Sequence, residues 1–180
     1  DSIEEMKIVK QCRCCGADTK ELLNLGYQPL ANSYHTEREI LKYYPLCLEY
    51  CKSCFHVQLN CTINPEILFN NYIYVSGTSK TGREYFKKFA NETYNRYKKT
   101  RQDNIEPRVL DIACNDGTQL DEFLEINENI TTTGVDPARN LIKIASKKHN
   151  LFCGFFDNNM VEEMSNRGYN KFDIIIAKSF

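Results

Sequence analysis

The stretch Arg108-Val-Leu-Asp-Ile-Ala-Cys-Asn-Asp-Gly-Thr-Gln-Leu120 constrains what this 180-residue chain can fold into more than any other. Val109, Leu110 and Ile112, bounded upstream by Pro107, read as a strand buried in a parallel sheet. Asp111 falls at the carboxyl end of that strand, where open α/β sheets place their ligands. The turn that follows must let backbone N–H groups approach a ligand, and Ala113, Asn115 and Gly117 supply small or turn-tolerant residues. A ligand-free strand, turn and helix is the plainer reading of the same residues.

Spacing separates the ligand classes that use such a turn. A dinucleotide turn takes G-x-G-x-x-G, whose glycines bring a pyrophosphate onto a helix N-terminus. Here an acid closes the strand and small residues follow at every second position. This resembles the acid-x-G-x-G-x-G turn of S-adenosylmethionine (SAM) methyltransferases, with Ala113 and Asn115 in the first two glycine slots. A ligand with an ammonium group and no phosphate gains from a carboxylate such as Asp111. The segment Thr132-Thr-Gly-Val-Asp136-Pro137 reads as a second strand ending in an acid, about twenty residues beyond Gly117, the separation at which a carboxylate accepts ribose hydroxyls. NAD proteins share that acid, so it supports a nucleoside without choosing one.

The formal net charge of −1 removes the usual electrostatic argument for nucleic acid. No apolar run approaches the roughly 20 residues that span a bilayer, and no charged-then-apolar leader opens the sequence. A soluble, cytoplasmic protein without a membrane partner is expected. Nine cysteines are many for a reducing compartment. Cys12-x-x-Cys15 and Cys51-x-x-Cys54 form two knuckles, each presenting two thiolates from one tight turn, and together they predict a tetrahedral zinc site. Cys14 could replace a knuckle cysteine, and His56 could replace Cys54.

Residues 1–10 read as an extended lead-in, and Gln11 to about Cys61 as short strands and turns that need a metal staple. Asn64-Pro65-Glu66 starts a short helix to Asn70. Tyr72–Ser79 alternates aromatic and hydroxyl groups; it either lines a pocket, with Tyr74, Ser76 and Ser79 offering hydrogen bonds, or is a strand and helix cap. Ser79 to about Arg101 has helical period, with Tyr85, Phe86, Phe89, Tyr94 and Tyr97 as core contacts. After a polar linker come helix Gln119–Ile126, strand two, a helix over 138–149, strand three from Leu151 to Asp157, helix Val161–Asn166 and strand four, Phe172–Ala177. The alternation predicts a doubly wound parallel sheet. Expected domains are 1–63 for zinc, 64–106 as a helical connector contributing to the pocket, and 107–180 as the first half of the sheet domain. A strand as apolar as Ile174–Ile176 expects neighbours on both sides, so the chain is expected to be the amino-terminal portion of a longer protein.

Taken together, the motifs resemble the zinc-containing sugar C-methyltransferases, which methylate a carbon of a nucleotide-linked keto-sugar. The resemblance runs through Cys12-Arg-x-Cys15-Gly16, Leu25-Gly26 with Pro29-Leu-Ala-Asn32, Tyr44-Pro-Leu46, Cys51-x-x-Cys54-x-x-Val57-Gln-Leu59, Tyr72-x-Tyr74-x-Ser76-Gly-Thr-Ser79, Asp111–Gly117 and Gly134-Val-Asp-Pro137. It implies an α/β fold: a small zinc-binding amino-terminal domain, then a Rossmann-like SAM-methyltransferase domain that here reaches about its fourth strand. Zinc is then structural, since four thiolates leave no open position. Tyr74 would face sugar or cofactor; Ser79, Asp111, Ala113, Asn115, Gly117, Asp136, Pro137 and Asp157 complete the implied cofactor set. The implied reaction removes a proton beside a ketone, holds the enolate by hydrogen bonds and alkylates its carbon. The family's base, a histidine of a Tyr-His-Glu-His motif, is expected beyond Phe180, so the 180 residues alone are expected to be inactive. The alternative is a non-catalytic, zinc-stabilised remnant that binds SAM or a partner. Where the family often has asparagine after strand four this chain has Lys178, and no substrate contact is assigned there.

Overall fold

The computed structural model describes residues 4–36, 38–101 and 103–178. The chain divides into two compact units, Asp1–Leu68 and Phe69–Phe180.

In the first unit, β1 (Met6–Ile8) pairs antiparallel with β5 (Cys61–Ile63), and β2 (Thr19–Pro29), β3 (Tyr43–Cys51) and β4 (Val57–Leu59) make an antiparallel sheet in that order. The expectation of short strands fails for β2 and β3, which run eleven and nine residues. Pairing extends past the knuckles because β2 absorbs register irregularities between Glu21 and Leu23 and between Asn24 and Tyr27. The buried residues are few, among them Cys12, Tyr44, Cys47, Cys51, Gln58 and Cys61. Gln58 ties the two halves of the unit together: its Oε1 accepts Arg13 N at 2.8 Å and its Nε2 donates to Gln11 O at 2.9 Å.

The second unit begins within α1 (Pro65–Phe69), whose start is an Asn64 cap, with Asn64 Oδ1 accepting Glu66 N at 2.9 Å. A single turn of 3-10 helix at Ser76–Thr78 leads into α2 (Lys80–Thr100). Then β6 (Arg108–Ile112), α3 (Thr118–Ile126), β7 (Thr131–Asp136), α4 (Arg139–Ile144), β8 (Asn150–Cys153), α5 (Asn158–Asn166) and β9 (Ile174–Ala177) alternate. The sheet is parallel, in the order β8-β7-β6-β9. Side chains alternate along β6 as the pleat requires. Val109 packs with Ala90, Leu120, Phe123 and Ile176 on the α2–α3 face, and Leu110 and Ile112 pack with Phe152, Met160 and Met164 on the α5 face.

Several boundaries move from their expected places, α5 starting at Asn158 rather than Val161, and three of the shifts have a local reason. The helix over 138–149 stops at Ile144, because Ser146 turns the chain: its carbonyl accepts His149 N and its Oγ accepts Lys148 N. Strand three ends at Cys153 rather than Asp157, since Gly154 N turns back to Asp136 O and Asp157 caps α5. Strand four starts at Ile174, behind Asp173, whose Oδ2 accepts Arg108 N at 2.9 Å. In the α2 stripe Tyr97 is buried and Phe86, Phe89 and Tyr94 half-buried, while Tyr85 is 54% exposed rather than in the core.

Candidate functional site

Each knuckle of the first unit closes by backbone bonds around its own cysteines. Gly16 N donates to Cys12 O, and Phe55 N donates to Cys51 O, both at 2.9 Å. The residue after each pair takes a left-handed turn, Gly16 with φ 76° and Phe55 with φ 61°. The two turns bring the sulfurs of Cys12, Cys15, Cys51 and Cys54 within 4.8 Å of one another, with Cys12–Cys54 and Cys15–Cys51 contacts of 3.5 Å. A tetrahedral zinc with Zn–S of about 2.3 Å sets sulfurs about 3.8 Å apart, so the donor set fits in both chemistry and spacing. The backbone N–H groups of Cys54 and Ser53 hold the Cys51 thiol down at about 6, favouring thiolate. Cys14 is exposed and stands outside this set, and His56 contributes its carbonyl to Cys51 N.

In the second unit, Asp111 and Asp136 close the carboxyl ends of the adjacent strands β6 and β7. The turn after β6 is left-handed at three of its residues: Ala113 (φ 60°), Asn115 (φ 56°) and Gly117 (φ 80°). These are the three positions singled out as glycine slots, and the two that are not glycine adopt the conformation nonetheless. Gly134 lets the turn sit close to β7, where a Cβ would lie 2.6 Å from Cys114 Sγ. Asp136 is 7% exposed, and its two oxygens accept Asn115 N and Ala138 N, each at 2.8 Å. Its carboxylate therefore shapes the turn, which leaves one lone pair per oxygen for anything further. Pro137, half-buried, follows it into α4.

Asp111 differs. It is 5% exposed, and among the described residues no hydrogen-bond donor reaches its carboxylate. Burial lifts it to about 7, against the pull of Lys178. A buried carboxylate that no donor among the described residues reaches is either protonated or paired with a cation.

Asn115 and Asp116 hold the loop that precedes α2. Asn115 Nδ2 donates to Tyr74 O and its Oδ1 accepts Ser76 N, both at 3.0 Å; Asp116 Oδ2 accepts Gly77 N at 2.9 Å. This brings Tyr74 alongside the turn through its backbone, with its ring 56% exposed. Ser79 and Asp157 have other employment: Ser79 Oγ accepts Gly82 N at the start of α2, and Asp157 Oδ1 accepts Met160 N at the start of α5. The pocket-or-cap choice for Ser79 thus has a cap in it.

Three participants receive no role from the sequence. Asp116 sits between two slots, where only its neighbours draw notice. His149 is buried with Nδ1 2.8 Å from Thr132 Oγ1 and Nε2 2.9 Å from Asp121 Oδ1, bracing β7 to α3 beneath Gly117. No local pattern marks that role. Lys178 stands over the rings of Tyr85, Phe86 and Phe89, and its significance depends on α2, far away in sequence.

Residues 12–69 match the family described as a putative zinc binding domain. Over 144 residues the chain is 27% identical to the C-methyltransferase NovU of Streptomyces niveus, an alignment covering 78% of this chain and 33% of NovU. The chain therefore spans about a third of the length of that relative. Among solved structures, the plantazolicin methyltransferase BpumL in complex with SAH overlaps 51% of this chain and 35% of its own, at 24% identity and a TM-score of 0.39. A second BpumL structure, with a monoazolic desmethylPZN analog and SAH, overlaps 41% and 30%, at 28% identity and a TM-score of 0.36. Overlaps of that extent carry no argument about substrate. The family match and the relative agree with the resemblance in the motifs, which is to zinc-containing methyltransferases.

Proposed function

We propose that the chain is the SAM-binding and zinc-binding part of a C-methyltransferase that acts on a nucleotide-linked keto-sugar. The observation that carries this reading is Asp111, a buried carboxylate that no hydrogen-bond donor among the described residues reaches, at the lip of the Ala113–Gly117 turn. Likeness to NovU, a C-methyltransferase by name, supports carbon as the atom methylated. The motifs shared with sugar C-methyltransferases support the keto-sugar.

In this reading Asp111 faces the positive charge of the ligand, and the turn from Ala113 to Gly117 gives it close backbone. Asp136 fixes that turn and offers its remaining lone pairs to a ribose. Tyr74 stands at the rim, held by Asn115. SAM would supply an electrophilic methyl group for a carbon nucleophile. The four cysteines hold a structural zinc and take no part in the chemistry. No residue of this chain is assigned as the base.

The test is calorimetric titration with SAM, followed by transfer of labelled methyl from SAM to a nucleotide-linked keto-sugar. SAM binding by this chain supports the cofactor reading; methyl transfer by a longer protein that contains this chain supports the full proposal, and its absence there favours a non-catalytic, zinc-stabilised SAM-binding module. Absence of SAM binding sinks both. Asp136→Ala should weaken SAM by roughly 1–3 kcal/mol, and because Asp136 also anchors two backbone N–H groups, the melting temperature of the variant should fall with it.

A further inference from the structure

The ligand edge of the sheet contains a cation that the reaction does not explain. Lys178 follows β9 directly, and in the β6–β9 register Ile176 pairs with Asp111 and Ala177 with Ile112. By the alternation of a strand, Lys178 shares the α2–α3 face with Ile176 and stands two residues beyond Asp111, level with Ala113 of the turn. Its ammonium lies 4.0 Å from the ring centroid of Phe89, 4.7 Å from that of Phe86 and 5.0 Å from that of Tyr85. It also donates to Oε1 of Gln119, a buried side chain whose Nε2 donates to Phe86 O at 3.1 Å. Three aromatic faces, an amide oxygen and the nearby Asp111 charge make a cation cage.

We propose that this cage is part of the ligand site and that Lys178 is an intramolecular stand-in, which a cationic ligand must expel in order to bind. The reason is electrostatic. A ligand charge brought beside Asp111 would stand next to the Lys178 ammonium in a partly desolvated site, where like charges repel far more than in water. The ammonium has a flexible four-carbon stem and is only partly buried, so it can swing out to solvent. Binding then costs the lysine's ring contacts, and Lys178 sets both affinity and preference for charge. The inference rests on the cofactor reading only for the identity of the ligand, which is a sulfonium nucleoside there.

The test compares wild type with Lys178→Ala, Lys178→Met and Lys178→Arg. The first probe is tetramethylammonium, whose methyl protons shift upfield between ring faces. Lys178→Ala should show a saturable shift at millimolar concentration, whereas wild type and Lys178→Arg should show none. The second probe is SAM, which Lys178→Ala and Lys178→Met should each bind about tenfold more tightly than wild type. SAH keeps the ammonium and lacks the sulfonium charge, so it should gain less. Equal gains for SAM and SAH would still support expulsion and assign it to the shared ammonium. A Lys178→Ala protein that melts like wild type yet leaves tetramethylammonium unshifted overturns the cage. Tetramethylammonium binding with no SAM binding in any variant overturns the cofactor reading and leaves the cage standing. Lys178→Met keeps the stem against the strand end, so a loss of folding in Lys178→Ala does not remove the test.

Discussion

Phe55 and Asn115 are held in left-handed backbone that glycine would adopt without strain, and of the two only Asn115 makes side-chain bonds that offset it. A non-glycine residue there costs roughly 1–2 kcal/mol. Phe55 is 84% exposed and gains no packing for it, so Phe55→Gly should raise stability by up to about 1 kcal/mol, read from the melting temperature, while Gly16→Ala lowers it. Asn115 gains two side-chain bonds to the Tyr74–Ser76 loop, so Asn115→Ala should cost about 2–4 kcal/mol, losing both bonds and keeping the strain. Asn115→Gly should cost less, and an equal cost would mean the strain is absent. At Asp111 the sign of a pH effect is fixed. Its carboxyl titrates at about 7 in the fold and at 3.8 as a reference, so burial favours the protonated form. The stability this adds is complete below the reference value and is lost as pH climbs through about 7. Asp111→Asn removes that loss, so the unliganded variant should melt higher than wild type at pH 8 and by a smaller margin at pH 5. A wild-type melting temperature that is flat from pH 5 to 8 would show that the carboxylate is hydrated.

Elements built from local signals were legible in the sequence; those shaped by distant partners were not. The apolar run of β6, Asp111 at its end and the small residues after it predict a strand and turn because each depends only on its neighbours. The knuckles did the same for the four cysteines. Ile142, Ala145 and His149 continue a helical pattern, which makes the expected helix over 138–149 longer than α4; the chain instead turns at Ser146, and His149 meets Thr132 and Asp121. The apolar run from Leu151 to Phe156 extends the expected strand to Asp157, whose side chain instead caps α5. The surroundings of Lys178 are set by the α2 rings of Tyr85, Phe86 and Phe89, which lie far from it in sequence. At this scale the helix caps give the check: Ser79→Ala removes the acceptor for Gly82 N and should lower stability by about 1 kcal/mol in thermal melts.

The whole molecule is two units with different sources of stability. The first has few buried side chains and four convergent sulfurs, so zinc removal should unfold it. The second carries its own apolar clusters on both faces of the parallel sheet and should retain its helical signal in circular dichroism after chelation. One zinc per chain by elemental analysis, and a chelator-sensitive first transition, are the expected results. The claim at the centre of the account is that the Asp111 turn receives a sulfonium nucleoside. The most direct measurement is titration of the zinc-loaded chain with SAM and, in parallel, with NADH, using wild type and Asp111→Asn. The account predicts saturable SAM binding that weakens at least about tenfold in Asp111→Asn, with no NADH binding. NADH binding in the absence of any affinity for SAM would contradict it.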